Sequence, residues 1–344
     1  MSALTAIDYR NPFELAVVFE EYHGYEPMVV KNVFKNTFLH NTTTIAVETI
    51  EGENEIAKFV SPGEDPTTVG LGGRTAEAYI LPRIYERKIF TAEELAQFEV
   101  LDNSESSIKQ ANDSIQREIG RLQERLYRRC EQMACQALST GKVTVSQDNV
   151  AFENDFKVPN TRIITRSSDA TKWSAASGNV IVKDIIAFKR LIASSGAPAD
   201  MLLVGTEVGD AIRSNEDLRK SLDTSYYDVG AVKLQEVMGA AGSYIGKIAG
   251  VNVFEYHQQY MSGASATDMI GTRKAIMVAT GGQGFGMHYG GIAHIAKGAL
   301  KIDRQPFSLT VNEDPYGKFV EWRLESYPLP VIQKPKALVT ATVL

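Results

Sequence analysis

Between residues 102 and 141 one apolar stripe steps by three or four positions at a time: Ile108, Ala111, Ile115, Ile119, Leu122, Leu126, Cys130, Met133 and Ala137. That spacing predicts a single amphipathic helix. At about 1.5 Å per residue, some 36 residues make a rod of about 54 Å, roughly three times the average helix. Asp102 or Ser104 can cap its start, with Glu105 completing a capping box from Asp102, and Gly141 is placed to end it. The other face carries Lys109, Arg117, Arg121, Arg125, Arg128 and Arg129 against Asp113, Glu118 and Glu124. Such a run reads as a solvated face, with contact to a polyanion as the alternative. Cys130 and Cys135 lie about 140° apart around the axis and cannot pair within the rod. Cys130 falls in the stripe and reads as core packing.

Ahead of the rod, two β-rich runs, roughly Thr43–Val60 and Thr75–Phe90, flank a tip of turn formers. From Ser61 to Gly73, six of thirteen residues are glycine or proline: Pro62, Gly63, Pro66, Gly70, Gly72 and Gly73. This punctuation predicts a long hairpin with a loose tip. The second run alternates, with Glu77, Tyr79 and Leu81 on one face and Ala76, Ala78 and Ile80 on the other. A two-stranded ribbon of that length is marginal in water, and its edges are unpaired backbone. The plainer reading folds it over its own domain.

At the start of the chain, Asn11-Pro12 predicts a short helix from about Asn11 to Tyr22, closed by Gly24 and Pro27. Beyond the rod, strand and helix signals mix. Asp184–Ala193 reads as a helix, with Ile185, Phe188, Leu191 and Ile192 on one side. Met201–Val204 reads as a buried strand, and Thr206 as the cap of a helix running through Ile212. Leu218 and Leu222 continue an amphipathic segment. Val251–Tyr256 and Ala275–Ala279 read as strands. Prolines keep Tyr327 to Pro335 extended, and Ala337–Leu344 is strand-like. The fold class is α+β.

Length and composition bound the function. The 344 residues suggest about two domains, and 44% hydrophobic with 23% charged residues exclude disorder, collagen and a coiled-coil rod. A net charge of −6 argues against a dedicated nucleic-acid binder, although a local basic face is compatible with it. Two cysteines exclude a disulfide scaffold and suggest a reducing compartment. No apolar run approaches the ~18 residues that span a bilayer, and Met1 to Arg10 is too short and polar for a signal-peptide core. The expectation is a soluble protein made in the cytoplasm.

Candidate chemistry is sparse. Gly281-Gly282-Gln283-Gly284-Phe285-Gly286 does not keep dinucleotide-binding spacing and lacks the Lys-Ser/Thr pair of a phosphate loop. A tightly turning backbone accounts for it. The five histidines, His23, His40, His257, His288 and His294, are scattered and form no zinc signature. No nucleophile elbow or Cys/His couple is present. The acidic stretch Glu51, Glu53, Glu55, Glu64 and Asp65, opposed by Lys58, reads as a solvated strand face. No catalytic, cofactor or metal site is expected.

Taken in order, arm, glycine- and proline-tipped ribbon, very long helix, mixed domain and proline-punctuated closing strand resemble one family. The local marks are Asn11-Pro12-Phe13, Phe59-Val60-Ser61-Pro62-Gly63, Trp173-Ser174, the block Asp184–Asp223 and Ser326-Tyr327-Pro328-Leu329-Pro330. They resemble the major capsid proteins of tailed bacteriophages, the lambda-type capsid protein E family with the HK97-like fold, over nearly the whole chain.

The resemblance implies an N-terminal arm (1–42), an extended β-hairpin loop (43–90) and a peripheral domain (91–169 and 269–322) with its spine helix at 104–140. An axial domain (170–268 and 323–344) completes it. It implies a non-enzymatic shell protein that assembles as hexamers and pentamers into an icosahedral head around double-stranded DNA. Phe13, Phe59, Pro62, Gly63, Pro66, Gly70 and Arg74 are then contacts between subunits. Its partners would be copies of itself, a decoration protein, portal and scaffold proteins, and packaged DNA held non-specifically. No membrane is involved, and the protein would reside in the virion. Some members weld the shell through Lys–Asn bonds, but no motif around Lys58 carries that chemistry here. The alternatives are an encapsulin-type nanocompartment shell and, in another class, a cytosolic α+β enzyme.

Overall fold

Asn11 opens the first helix as its sequence predicts: its side chain accepts the Phe13 N–H at 3.1 Å, and Pro12 occupies the first turn. The computed structural model describes residues 6–50, 74–100, 104–147, 150–174, 179–194, 196–215, 218, 242–296 and 299–344. The chain runs through α1 (Pro12–Glu21), α2 (Met28–Asn32), β1 (Asn36–Leu39), β2 (Thr44–Ile50), β3 (Arg74–Ile80), β4 (Ile84–Thr91), α3 (Ala92–Leu95) and α4 (Glu105–Thr140). There follow β5 (Lys142–Gln147), β6 (Val150–Asp155), β7 (Ile163–Thr165), α5 (Asn179–Ala193), β8 (Met201–Val204) and α6 (Thr206–Ser214). Next come β9 (Gly242–Ile248), β10 (Val251–Tyr256), β11 (Gln259–Ser262), β12 (Ser265–Asp268), β13 (Lys274–Val278) and β14 (Phe285–Tyr289). The last elements are β15 (Ile292–Ala296), β16 (Ala299–Asp303), β17 (Ser308–Glu313), β18 (Phe319–Ser326), β19 (Pro328–Ile332) and β20 (Leu338–Thr342).

The long helix α4 spans 36 residues as its stripe requires. Ser104 caps it, accepting the Ser107 N–H at 3.3 Å. The expected capping box from Asp102 is not what closes the helix start, because with Ser104 as the cap the third helical residue is Ser107, not Glu105. Gly141 ends the helix in the left-handed conformation at φ 73°. From Ala111 to Leu126 the helix buries mainly its stripe; from Cys130 onward Glu131, Met133, Ala134, Cys135, Ala137 and Leu138 are all buried. Both cysteines lie in the core despite facing different ways, because β5, β13, β19 and β20 surround that end of the rod. Burial pushes the Cys130 thiol up to about 12.

The ribbon differs from its sequence expectation at its second strand. β2 pairs antiparallel with β3, from Thr44 opposite Ile80 to Ile50 opposite Arg74. After Leu81-Pro82-Arg83 the chain leaves the ribbon, and β4 pairs instead with β18 along its whole length. The proline at the corner cannot continue a ladder, so one predicted run becomes two strands in two sheets. Thr91 and Glu94 then form a capping box that starts α3. Within β3 the predicted alternation holds: Tyr79 is buried and Ala76, Ala78 and Ile80 are exposed.

A six-stranded sheet, in the order β7-β20-β13-β8-β10-β9, forms one body of the fold, with α5 packed against β13 and β20 and α6 against β10. The boundaries expected near 169 and 268 cross this sheet, since β7 and β13 pair with β20 inside it. β8 is buried at every position, as its apolar run predicts. Gly205, not Thr206, is the cap residue of α6. A Cβ at 205 would lie 2.4 Å from the Gly271 carbonyl oxygen, so the close backbone there takes glycine and Thr206 moves one place into the helix.

A second body is the sheet β17-β18-β4 beside α4. There Trp322 stacks on Phe98 with ring centres 5.7 Å apart, meets Phe90 edge-on at 4.6 Å, and donates its indole N–H to the Tyr9 carbonyl at 3.0 Å. The third sheet, β1-β14-β19, puts the proline-bearing β19 at an edge, with Pro328 and Pro330 opposite Tyr289 and Met287. Gly286 of the glycine-rich stretch lies under Phe38, whose ring atoms come within 2.6 Å of where its Cβ would be. Glycine there permits β1 and β14 to pair closely.

Candidate assembly surface

Two-stranded ribbons and a surface helix carry several of the exposed apolar side chains; Leu39, Tyr85, Ile89, Ile163 and Tyr316 are exposed elsewhere. Phe13 is 81% exposed on α1, one turn from the exposed Val17. Ile80 is exposed on the ribbon, Met261 on the hairpin β11–β12, and Leu300 and Ile302 on the hairpin β15–β16. Water-exposed apolar groups on elements that have only one sheet partner each are surfaces for association. Of the predicted contact residues, Phe13 is therefore uncovered in the isolated chain. Arg74 opens β3 opposite Ile50. Phe59, Pro62, Gly63, Pro66 and Gly70, with the acidic stretch from Glu51 to Asp65, lie outside the described residues.

The base of the ribbon is fixed to its own chain. Asn154 on β6 donates its amide to the Ile80 carbonyl at 2.8 Å and accepts the Ile80 N–H at 3.1 Å. Tyr79 packs on Phe156 with ring centres 5.3 Å apart, and burial pushes its phenol up to about 12. Ile45 and Val47 on β2 are buried on the same side. These contacts tether the strands next to the corner.

Glu131 holds three parts of the chain together. Its carboxylate accepts the Val29 N–H at 2.7 Å and the Val30 N–H at 3.0 Å, which are the second and third N–H groups of α2. That helix has Pro27 at its cap position and no side-chain cap of its own, so Glu131 supplies one from across the core. Tyr256 on β10 donates its hydroxyl to the same carboxylate at 2.6 Å. Burial pushes the Glu131 carboxyl up, while the Tyr256 hydroxyl and the backbone donors pull it down. Sequence reasoning does not find this residue. It stands off the apolar stripe and its partners are more than a hundred positions away.

The histidines, scattered in sequence, include a pair in space. His40 Nε2 and His288 Nδ1 are 2.9 Å apart with nearly parallel rings, and Gln333 Nε2 lies 3.2 Å from His288 Nε2. Burial, and then the His40 charge, push His288 down to about 4. No group of three or more metal-ligating side chains occurs among the described residues.

Ser243, His257 and Glu255 also meet, with Ser243 Oγ 3.4 Å from His257 Nε2 and His257 Nδ1 3.5 Å from Glu255. The composition is that of a hydrolytic triad, but the bonding is not. Arg213 pairs with Glu255 and donates to Ser243 Oγ at 2.9 Å, and Ser243 Oγ stands 3.4 Å from Glu255, as far as from His257. A serine whose oxygen accepts from an arginine, beside a carboxylate that the same arginine neutralises, is not an activated nucleophile.

The solvated face of α4 is laced to β4. Arg125 makes a bidentate pair with Glu86 at 2.7 and 2.9 Å, Glu118 holds Lys88 and Arg121, and Arg128 pairs with Glu124 at 3.1 Å. No helix among the described residues is long and apolar enough to cross a membrane.

Comparison with known proteins agrees with this architecture. A family model described as phage major capsid protein E matches residues 13–343. No curated protein matches the sequence at a significant level. Among solved structures, the putative capsid protein of a prophage of E. coli CFT073 superposes with a TM-score of 0.72 at 16% identity, covering 97% of this chain and 99% of that one. A phage-related protein from Bordetella bronchiseptica RB50 gives 0.59 at 11% identity, with 98% and 96% covered. The procapsid of satellite phage P4 gives 0.50 at 9% identity, with 95% and 97% covered. The family takes precedence over the nanocompartment alternative, and it is a family of structural proteins, not enzymes. With its fold that of HK97-like capsid proteins and the match running from Phe13 almost to the last residue, the chain belongs to the phage major capsid protein E family and is a structural component of a capsid shell.

Proposed function

We propose that the protein assembles as hexamers and pentamers into the icosahedral head that encloses phage double-stranded DNA, and that its uncovered apolar elements are completed by neighbouring copies. The observation that carries this reading is the placement of Phe13, Val17, Ile80, Leu300 and Ile302 on a helix and ribbons that their own chain does not cover. Lattices of this kind draw their strength from many weak repeated contacts. In this reading residues 1–42 are the exchanging arm and 43–90 the extended loop. Residues 91–169 and 269–322 form the peripheral domain, and 170–268 with 323–344 the axial domain, the two sharing the six-stranded sheet through β7, β13 and β20. Phe59, Pro62, Gly63, Pro66, Gly70 and Arg74 contact an adjacent subunit, and Phe13 anchors the arm. A decoration protein, a portal and a scaffold are the heterologous partners, and synthesis takes place in the host cytoplasm.

The test is deletion of residues 61–73, examined by negative-stain microscopy of the overexpressed chain. The intact chain is expected to give closed particles and the deletion soluble capsomer-like species. Closed shells from the deleted chain would remove the extended loop from the mechanism. A discrete small oligomer from the intact chain would favour the cytosolic enzyme class instead.

A further inference from the structure

Arg117, Arg121, Arg125 and Arg128 follow one another along α4 at intervals of four, four and three residues, and all four are exposed. At about 100° per residue they fall within a sector of about 80°, and at about 1.5 Å per residue successive members stand about 6 Å apart along the axis. β4 runs beside this row. Between them lies a groove of about 470 Å³ lined by Glu86, Arg87, Lys88, Arg121, Leu122 and Arg125. Four cations and one carboxylate face it, in a chain whose net charge is −6. Burial, and then the nearby Arg121, hold the Lys88 ammonium below its ordinary range. The carboxylates within reach are Glu86, Glu118, Glu124 and Glu321, engaged by Arg125, by Lys88 and Arg121, by Arg128 and by Arg87, so six cations of the row and groove face four carboxylates.

We propose that the groove and the arginine row are a track for the phosphate groups of a nucleic-acid backbone. Arginine forks bind phosphate oxygens in pairs, and a straight row on a rigid helix offers them at regular intervals. The groove's apolar lining residue, Leu122, is buried, so it presents no aromatic or aliphatic anchor of the kind that dominates protein–protein contacts. Nor does it hold an Asn or Gln to read adenine edges, and its arginines are assigned here to phosphate oxygens. The proposal rests on the reading of the protein as a shell around DNA, and it assigns this face of α4 to the genome side.

The test is fluorescence anisotropy of a labelled 30-base-pair duplex of arbitrary sequence with the unassembled subunit, from 50 to 200 mM salt. Four phosphate contacts give a slope of log K against log salt of about −3.6 at about −0.9 per contact. The combined variant Arg117→Gln, Arg121→Gln, Arg125→Gln should flatten that slope to about −0.9. Glu86→Gln removes the carboxylate that competes for Arg125 and should tighten binding several-fold, a gain that misfolding cannot imitate. An unchanged slope in the triple variant, or weaker binding by Glu86→Gln, overturns the proposal. So does a polyglutamate peptide that binds more tightly than the duplex with the same arginine dependence, since the ligand would then be an acidic polypeptide. Particle formation is scored separately by microscopy. Chains that assemble without binding the duplex refute the track alone, and chains that bind it without assembling refute the shell reading alone.

Discussion

Replacing Glu131 by alanine tests the claim that one buried carboxylate fastens the arm to the spine helix and to the six-stranded sheet. The substitution removes the acceptor of the Val29 and Val30 N–H groups, which are enclosed and have no side-chain cap from Pro27. Each buried donor left without a partner costs about 1–3 kcal/mol. Tyr256 loses its 2.6 Å bond but keeps the Gln258 side chain at 3.1 Å, so its share is small. Against these losses stands the relief of no longer burying a carboxyl whose ionised form is disfavoured there. The net expectation is a loss of about 2–5 kcal/mol, two unpaired donors less that relief. Glu131→Gln keeps one good acceptor and should cost about 1–2 kcal/mol. Urea denaturation of the unassembled subunit, followed through the buried Trp173 and Trp322, should show the alanine midpoint lowered by at least ~1 M. An alanine variant within about 1 kcal/mol of the parent, or a glutamine variant as damaged as the alanine one, would refute the capping argument.

Three further outcomes follow from other parts of the fold. Asn154→Ala, which loses both bonds to Ile80, should raise amide exchange across β2 and β3 by about 10–100-fold; protection equal to the parent's would mean that the ribbon base is held by packing alone. Burial keeps His288 neutral in the folded chain, with a folded value of about 4 against an unfolded one near 6.5. The unfolded chain therefore binds the proton first, and stability should fall by about 2–3 kcal/mol as pH drops from ~6.5 to ~4. Melting curves of His288→Gln should show a shallower fall, and an identical one would exclude this residue as the source. Gly141→Ala puts a side chain at φ 73° with its Cβ 2.8 Å from Val158, and should lower stability by about 2–3 kcal/mol in a thermal melt.

Local signals carried much of the architecture. The stripe from Ile108 to Ala137 gave α4 and its Gly141 terminus because a 36-residue periodicity has one solution. Asn11-Pro12 gave α1 within a residue, and the apolar run at Met201–Val204 gave a strand buried on both faces. Position errors arose where a distant backbone intervened, as at Gly205, where the Gly271 carbonyl decides which residue can cap α6. The capping box Thr91-Ala92-Glu93-Glu94 was present as a pattern directly after what read as one long strand. The site residues were less legible. Phe13 stands uncovered in the chain. The Glu131 clasp and the His40–His288 pair join residues more than a hundred positions apart, and no spacing rule reaches that far. The β4–β18 pairing is equally remote, since nothing in Ile84–Thr91 names its partner.

That pairing determines where a pull on the ribbon would be felt. β3 turns at Leu81-Pro82-Arg83 directly into β4, so tension applied by a neighbour at the far end meets no slack linker. It arrives at an eight-residue strand zipped lengthwise to β18, and through Glu86 and Lys88 it reaches Arg125 and Glu118 midway along the rod. The corner of the ribbon and the middle of α4 are thereby joined through one strand, with no loop between them to absorb a displacement.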